Sequence, residues 1–245
     1  MARAPRSIKL VADAEPLRVV YEDARFLAVL KPPGLRSAPV HRFMGGSALN
    51  RMIGYLGYEP HLLHRLDMNT SGVLLAAKDR ATASAAHAQF RDKSVSKAYL
   101  ALALGVPSSS SFSVDGAIGQ HPSVKVARQV VQGGQPALTH MQVRGRGRGC
   151  CLVCCRPVTG RTHQIRVHMA HAGHPLLGDE VYGLEGPCIG RQALHAWSLT
   201  LQHPGTGRPV TFAAPPPDDF AAAAAQLGLA LPPYDSSSAA PGMSA

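Results

Sequence analysis

The chain has 245 residues, of which 45% are hydrophobic and 16% charged, and a formal net charge of +10. This composition is typical of a globular protein and excludes a disordered one, and the length suits one domain or two small ones. No apolar run approaches the roughly 20 residues that span a bilayer, and the first residues lack the apolar stretch of a secretory signal. We therefore expect an intracellular, cytoplasmic protein without a membrane partner.

The positive charge lies in the body of the chain. Residues 1–212 hold all 25 Lys and Arg against 12 Asp and Glu, a net charge of +13. Cations that neutralise phosphates release counterions and gain affinity for nucleic acids. A merely basic surface is the alternative, because biased composition can supply part of the arginine. The charge favours a nucleic-acid partner.

The first predicted elements are an arm and a hairpin. Residues 1–16 show no clear period and predict a flexible N-terminal arm. From residue 17, two apolar runs flank the acidic turn at Glu22 and Asp23 and end in a Pro-Pro-Gly sequence. This pattern predicts a hairpin closed by a rigid loop.

A buried strand, a helix and a longer strand follow. The apolar run at residues 73–77 predicts a short buried strand. Asp79 is placed to cap a helix over residues 80–91, which are rich in helix formers. In residues 97–106, small side chains and Tyr99 alternate with leucines, which predicts a strand that a proline and four serines then end.

Two further strands are predicted at residues 124–131 and 137–144. The sequence RGRGRG at residues 144–149 follows them and predicts an exposed turn. Its arginines suit contacts with phosphate, or they form a solvated hairpin tip. These arginines are Arg144, Arg146 and Arg148.

The sequence CCLVCC at residues 150–155 holds four of the five cysteines. The spacing of Cys151 and Cys154 resembles half of a zinc site, but no second pair of ligands follows. In a strand, Cys151, Val153 and Cys155 would share one face and pack as small apolar side chains. We therefore predict reduced cysteines in a core strand and a reducing compartment.

The last part of the chain predicts a helix, two strands and a tail. Ile165 and Met169 have helical spacing, with Thr162 placed to cap that helix and Gly173 to end it. Strands are predicted at residues 193–202 and 208–213. Pro215 to Pro217 close the folded domain, which we place at residues 17–220, and an Ala-rich helix and a disordered tail occupy residues 221–245.

Strands outnumber helices and are mostly joined by turns. We therefore predict an α+β fold, with a largely antiparallel mixed sheet flanked by helices and loops around a central cleft.

The sequence HRLDMNTSG at residues 64–72 forms a charged bend directly before the buried strand. A loop aspartate is usually a turn former or a helix cap. Here Arg65 precedes Asp67 by two residues, a Thr-Ser-Gly return follows, and the strand anchors the bend. This arrangement indicates a carboxylate held at the floor of a cleft.

The motifs together resemble those of the RluA-type pseudouridine synthases. HRLDMNTSGVLLAAK is similar to the central motif of that family, and VLKPPG, KAYLALALG, GRTHQIRVHMAHAGHPLLGDEVYG and LHAWSLTLQHPGTGRPVTF resemble its other segments. Their order and spacing agree over residues 17–220. The resemblance implies the pseudouridine synthase fold, with uridine in structured ribosomal or transfer RNA as substrate.

The resemblance also implies roles for individual residues. Asp67 matches the catalytic aspartate, which either attacks covalently or accepts a proton from the sugar. Arg166 matches the arginine that pairs with this carboxylate, keeping it ionised and holding it in bidentate fashion. Tyr99 matches the tyrosine that packs on the uracil, and Arg65 matches the arginine that fills the space left by a flipped base.

Further RNA contacts are expected around this site. Lys31 and its Pro-Pro-Gly loop are expected to shape the pocket rim and contact RNA, and His64, Arg161 and His163 are candidates for RNA or structural contacts. We expect a monomer that needs neither a cofactor nor a metal.

Two other functions compete with this interpretation. A metal-dependent hydrolase would use the histidines near the predicted helix, although their spacing lacks an H-E-x-x-H pair; these candidates are His163, His168, His171, His174, Asp179 and Glu180. A non-catalytic RNA-binding protein is the other alternative, and the intact set of Asp67, Tyr99 and Arg166 argues against it.

Overall fold

The computed structural model describes residues 10–41, 44–183 and 188–234. The predicted arm lies partly outside these residues, and the predicted tail lies outside them from residue 235 onward. Residues 10–16 form neither helix nor strand, and the amide of Asp13 donates to the carbonyl of Asn50 at 3.0 Å. The first described residues therefore contact the body of the protein.

Strands outnumber helices in the described chain. The strands are β1 Arg18–Glu22, β2 Phe26–Lys31, β3 His61–Leu62, β4 Ser71–Ala77, β5 Ser96–Leu104, β6 Ser111–Asp115, β7 Ile118–Gln120, β8 Arg128–Val130, β9 Leu138–Arg146, β10 Cys150–Pro157, β11 Leu194–Gln202 and β12 Pro209–Ala213. The helices are α1 Ala48–Leu56, α2 Arg80–Arg91, α3 Gln164–His171 and α4 Asp218–Gln226.

Ten strands join one mixed sheet in the order β1-β2-β4-β11-β5-β10-β9-β6, with β3 beside β4 and β12 beside β11. Among the described strand pairs, β4 and β11 run parallel and the others are antiparallel. β7 and β8 form a separate two-stranded sheet. The predicted α+β class with a largely antiparallel mixed sheet is confirmed.

Both faces of β4 are covered, which explains its continuous apolar sequence. Val73 and Leu75 pack in the cluster that contains Ala83 of α2, whereas Leu74 packs in the cluster that contains Met52 of α1. A strand buried on both faces shows no alternation of apolar and polar residues. The predicted buried strand is therefore confirmed and placed inside the sheet.

The first hairpin and the capped helix are also confirmed. Between β1 and β2, the carboxylate of Asp23 accepts from the amides of Arg25 and Phe26 at 2.7 and 2.6 Å. At the start of α2, the carboxylate of Asp79 accepts from the amide of Thr82 at 2.8 Å. In both places an aspartate satisfies amides that the strand or helix leaves free.

The N-terminus of α3 differs from the prediction. Thr162 does not cap this helix, because the N-cap position belongs to His163, which has a φ of +57° and makes no side-chain capping bond. Gly173 follows the end of the helix as predicted, with a φ of +82°. A left-handed backbone turn therefore starts α3 in place of a hydroxyl cap.

Four elements were not predicted, and one strand is shorter than predicted. Helix α1 begins after Ser47, whose hydroxyl accepts from the amide of Asn50 at 3.3 Å. Strands β3 and β7 have two and three residues, and β6 begins at Ser111, the last residue of the predicted serine break. The strand predicted at 124–131 is reduced to the three residues of β8.

The cysteine strand has the predicted faces. Cys151, Val153 and Cys155 pack in the cluster that contains Met169 of α3, whereas Leu152 packs in the opposite cluster. All five cysteines are free thiols. Burial raises the pKa of the Cys151 thiol to about 11 and raises that of Cys155 as well, so both pack as neutral side chains.

Helix α4 packs on the half of the sheet that contains β5 and β10. Phe220, Ala223 and Ala224 are buried against Leu100 and Leu152. The helix begins at Asp218 and therefore spans the expected boundary at residue 220. Across the described chain, every helix is too short or too polar to cross a bilayer.

The pairing of β4 with β11 yields a stability prediction. Gly72 has a φ of +119°, and a Cβ atom added there would lie 2.2 Å from the carbonyl oxygen of Ala196. We expect Gly72→Ala to lower the free energy of unfolding by about 3 kcal/mol or more, measured by urea denaturation.

Gly190→Ala is the matched control, because an added Cβ there meets nothing within 4 Å. It should change the free energy of unfolding by less than about 0.5 kcal/mol. A Gly72→Ala variant as stable as this control would show that β4 and β11 do not approach each other this closely.

Candidate active site

Asp67 lies on a bend between β3 and β4. The amide of Thr70 donates to the carbonyl of Asp67 at 3.1 Å and closes the turn. Ahead of it, Leu66 and the Ser37 hydroxyl exchange two hydrogen bonds, of 2.8 and 2.9 Å. The Asp67 side chain is 22% exposed. Its carboxylate is thus held at the boundary between the core and solvent.

Lys31 holds this bend from the inside of the protein. Its side chain is fully buried, and the ammonium donates to the carbonyls of Pro32, Leu35 and Met68 at 2.8, 2.7 and 2.9 Å. Burial lowers the pKa of Lys31 to about 7, and Arg191 acts in the same direction. The three acceptors, however, require all three N–H groups of the charged form. The geometry therefore favours the ammonium, which ties the Pro-Pro-Gly loop to the bend.

A second buried cation, Arg191, holds the next carbonyl of the bend. Its Nη1 donates to the carbonyl of Asn69 at 2.9 Å, and its Nε and Nη2 donate to both carboxylate oxygens of Asp219 at 2.7 and 3.0 Å. Burial opposes the charge of Asp219, but the hydrogen bonds and charge of Arg191 lower the pKa of that carboxyl. Arg191 therefore connects the Asp67 bend to helix α4.

Arg166 of α3 lies between two carboxylates. Its Nη1 donates to Asp67 at 3.3 Å, and its Nε and Nη2 each donate to Asp179 at 2.7 Å. The prediction that Arg166 holds Asp67 in bidentate fashion is wrong, because the fully buried Asp179 occupies that edge of the guanidinium. Burial opposes the charge of Arg166, but Asp179 and then Asp67 outweigh it and raise its pKa.

His163 faces the same carboxylate. Its Nε2 lies 3.8 Å from Asp67 Oδ2, and its Nδ1 lies 2.8 Å from the hydroxyl of Tyr182, which accepts from the amide of Arg128 at 2.7 Å. Burial lowers the pKa of His163, although Asp67 acts against this effect. Because the Tyr182 hydrogen then points to Nδ1, we assign the ring proton to Nε2, towards Asp67.

Tyr182 also supports Arg166. The guanidinium carbon of Arg166 lies 5.0 Å from the centre of the Tyr182 ring, within the range of a cation–π contact. Asp179 in turn accepts from the amides of Val181 and Tyr182 at 3.1 and 3.3 Å. The segment after α3 thus fixes both the charge partner and the aromatic support of this arginine.

These groups open into a cavity of about 460 Å³. Asp67 is the one carboxylate that lines it within the described chain. Tyr99 lies half-buried in its wall, and burial together with Asp67 raises the pKa of its hydroxyl, which stays protonated. The basic residues of the lining are Arg65, Arg91, Lys93, Lys97, Arg161 and Arg166. Such a cavity suits a small polar group that carries or adjoins negative charge.

A sequence model of the family described as RNA pseudouridylate synthase matches residues 25–171. This chain belongs to that family. The resemblance found in the sequence motifs is therefore confirmed.

Individual relatives agree with this membership. Ribosomal large subunit pseudouridine synthase D of Nitrosomonas europaea is 39% identical over 225 residues, which cover 86% of this chain and 65% of that protein. The uncharacterized RNA pseudouridine synthase YjbO of Bacillus subtilis is 38% identical and is matched over 86% of this chain and 76% of its own length. The chain thus spans just under two thirds of the first of these relatives.

A solved structure shows the same fold. The structure of human RNA pseudouridylate synthase domain containing 1 superimposes with a TM-score of 0.72 at 31% identity, covering 84% of this chain and 86% of that one. The predicted pseudouridine synthase fold is confirmed.

The structure brings most of the predicted site residues of this family member together. The predicted residues that line the same cavity are Asp67, Tyr99, Arg166, Arg65, His64, Arg161 and His163. They come from the bend before β4, from β5 and from the start of α3, segments that are far apart in the sequence. The assignment of roles to them stays a prediction.

The prediction that Lys31 contacts RNA is wrong. A fully buried ammonium that donates to three carbonyls cannot contact RNA, so its role is to position the bend.

His64 lines the cavity, but its Nε2 accepts from the amide of Leu75 at 3.1 Å and its ring stacks on Phe90. Burial lowers the pKa of His64 to about 4, so it stays neutral. Of the two alternatives for His64, the structure shows the structural contact.

The three arginines of the RGRGRG sequence lie away from the cavity. The cavity meets β10 at Pro157, whereas Arg146 pairs with Cys151 near the other end of that strand, about 20 Å away for an extended strand, and Arg144 lies opposite its middle. All three arginines are exposed. Arg144 donates to the side chain of Gln142 and Arg146 donates to the hydroxyl of Ser110, both at 3.2 Å. Their contact with phosphate stays a prediction for RNA that extends beyond the site.

Several residues of the site were missed or misinterpreted. From the sequence, Asp179 is a candidate metal ligand, because sequence separation does not show that it faces Arg166. Lys97 was overlooked, although it precedes Tyr99 by two residues in a strand and therefore shares its face. It donates to the carbonyl of Thr159 at 2.9 Å, and burial lowers its pKa to about 8.

The residues proposed for a metal site have other partners. His168 pairs with the hydroxyl of Thr139 and the carbonyl of Gly116, both at 2.9 Å, and Asp179 is bound to Arg166. Among residues 10–41, 44–183 and 188–234, no three His, Cys, Asp or Glu side chains group as metal ligands would. The geometry gives no support to the hydrolase alternative.

The buried ammonium of Lys31 yields a second prediction. Lys31→Met keeps the length of the side chain but leaves three buried carbonyls without this donor. We expect the free energy of unfolding to fall by about 3 kcal/mol, measured by urea denaturation.

Lys78→Met serves as the control, because Lys78 makes a surface pair with Glu22 at 2.6 Å. It should cost less than about 1 kcal/mol. Equal losses in the two variants would show that Lys31 contributes no more to the bend than a surface lysine does.

Proposed function

We propose that this protein converts uridine to pseudouridine in structured RNA, with Asp67 as the catalytic group and a base-flipping mechanism. The observation that carries the proposal is a single carboxylate held by Arg166 in an otherwise basic cavity of a pseudouridine synthase fold. Ribosomal RNA is favoured over transfer RNA, because the Nitrosomonas relative is named for the large ribosomal subunit.

The reaction exchanges one bond of the uracil for another. The bond between C1′ of the ribose and N1 of uracil breaks, the ring turns, and C1′ bonds to C5, which loses its proton while N1 gains one. Cleavage leaves positive character on the ribose, so a carboxylate at this place can attack C1′ or accept a proton from the sugar. Both roles are open to Asp67.

The surrounding residues support either role. Arg166, fixed by Asp179, orients Asp67 through one hydrogen bond and leaves its second oxygen free of this contact. Tyr99 offers a ring in the cavity wall against which an extruded uracil can pack. The exposed Arg65 lies two residues before Asp67, where it can enter the gap left in the RNA stack.

The location proposed for this activity is the cytoplasm. Five free cysteine thiols suit its reducing conditions. The basic body of the chain suits RNA, because each neutralised phosphate adds affinity.

Asp67→Asn tests the chemistry. It keeps the shape of the side chain and removes the charge that the reaction uses. We expect pseudouridine formation on unmodified ribosomal RNA to fall by about 10³-fold or more, while the dissociation constant for RNA stays within a few-fold. Chemical mapping of pseudouridine and filter binding measure the two quantities.

Asp115→Asn is the control, because Asp115 lies at the end of β6 and does not line the cavity. It should keep full activity. Turnover by Asp67→Asn at a similar level to this control would refute the catalytic assignment.

Arg65→Ala tests base flipping. Extruding a nucleotide costs a few kcal/mol, so losing the side chain that fills its place should slow turnover by about 10- to 100-fold. A fluorescent base analogue next to the target uridine should show less extrusion, with RNA affinity nearly unchanged. Normal extrusion together with slow turnover would assign Arg65 another role.

A further inference from the structure

Helix α2 ends in a turn that normally carries glycine. The amide of Ser94 donates to the carbonyl of Gln89 at 3.0 Å, and the amide of Lys93 donates to that of Phe90 at 3.3 Å. This pair of bonds defines a Schellman motif, in which the residue after the C-cap adopts a left-handed conformation. Lys93 occupies that position with a φ of +57°.

A lysine is an unfavourable residue at this position. In the left-handed region its Cβ atom is sterically hindered, whereas glycine has no Cβ atom and adopts this conformation readily. Among the described residues, Lys93 and His163 are the two that have a positive φ without being glycine. Both line the cavity of Asp67. Backbone strain that clusters around one site indicates side chains that the site uses.

The charges around Lys93 point to an anionic ligand. Lys93 and Arg91 are exposed on the cavity rim next to Phe90, and Lys97 lines the wall behind them. Within the described chain no carboxylate lies within 4.0 Å of either rim side chain, although Asp92 stands between them in the sequence. Two exposed cations at the mouth of a cavity attract an anion rather than stabilise the fold.

We propose that Arg91 and Lys93 bind a backbone phosphate of the RNA next to the nucleotide that enters the cavity. The inference rests on the proposed function, since it assigns these two residues to the same RNA. An extruded nucleotide brings its flanking phosphates to the rim of the pocket. A flexible ammonium on a fixed left-handed turn can follow that phosphate, and glycine could not.

Attraction to the negative end of the α2 dipole is the competing explanation for basic residues here. The two explanations differ for Lys93→Gly. Glycine relieves the strained turn, so the melting temperature should hold or rise by about 2 °C. A phosphate contact, by contrast, is lost with the side chain, and RNA affinity should fall although the protein is no less stable.

The experiment measures binding of an unmodified large-subunit ribosomal RNA transcript at salt concentrations from about 50 to about 300 mM. Lys93→Gly and Arg91→Gln should each reduce the slope of log Kd against log salt, and the two substitutions together should reduce it by about 1, because both cations face one phosphate. Each should weaken binding by about 3- to 10-fold at physiological salt. The melting temperature of each variant is recorded alongside.

Lys125→Gly is the matched control, because Lys125 is an exposed lysine that does not line the cavity. It should leave both the slope and the affinity of the wild-type protein unchanged. Unchanged slopes for Lys93→Gly and Arg91→Gln would overturn the proposal. A lower melting temperature of Lys93→Gly with an unchanged slope would also overturn it, in favour of the helix dipole.

Failure of this inference is distinguishable from failure of the proposed function. RNA binding and its salt slope are measured without turnover, so they report on the rim even if no pseudouridine forms. Conversely, product formation that depends on Asp67 would stand even if Lys93 and Arg91 proved irrelevant to binding.

Discussion

The arrangement of the site depends on one guanidinium shared unequally by two carboxylates. Asp179 takes two short bonds from Arg166 and is fully buried, whereas Asp67 takes one longer bond and is partly exposed. A buried ion pair adds little stability in itself, because desolvation offsets attraction. What it provides here is a fixed direction for the Nη1 group that donates to Asp67.

The backbone of the Asp67 bend is fixed by the same physical means. Two buried cations, Lys31 and Arg191, donate to the consecutive carbonyls of Met68 and Asn69. A loop that lacks a sheet or helix pattern must find partners for such carbonyls elsewhere. Cations supply stronger bonds than neutral donors, so the bend is rigid although it lies at the surface of a cavity.

Much of this fold and site could be predicted from the sequence, for reasons that differ between segments. Asp79 and Gly173 act through local rules, which a sequence shows directly. The predicted residues that line the cavity followed from motifs, which fix positions but not contacts. Lys31 shows the limit: the sequence marked it as important, and only its three carbonyl acceptors show that it works inside the protein. The bidentate partner of Arg166 could likewise not be predicted, because sequence spacing does not show whether Asp67 or Asp179 accepts both hydrogen bonds.

The link from Arg191 to Asp219 makes the C-terminal helix a structural support of the site. Asp219 is the second residue of α4, and its carboxylate pairs with Arg191, which donates to the carbonyl of Asn69. Removing residues from 218 onward would leave a buried guanidinium without its counter-charge and would uncover Leu100 and Leu152. A shortened chain that ends at Pro217 would therefore lose the order of the Asp67 bend along with helix α4. Tags and fusion partners belong after the helix, where they leave this support intact.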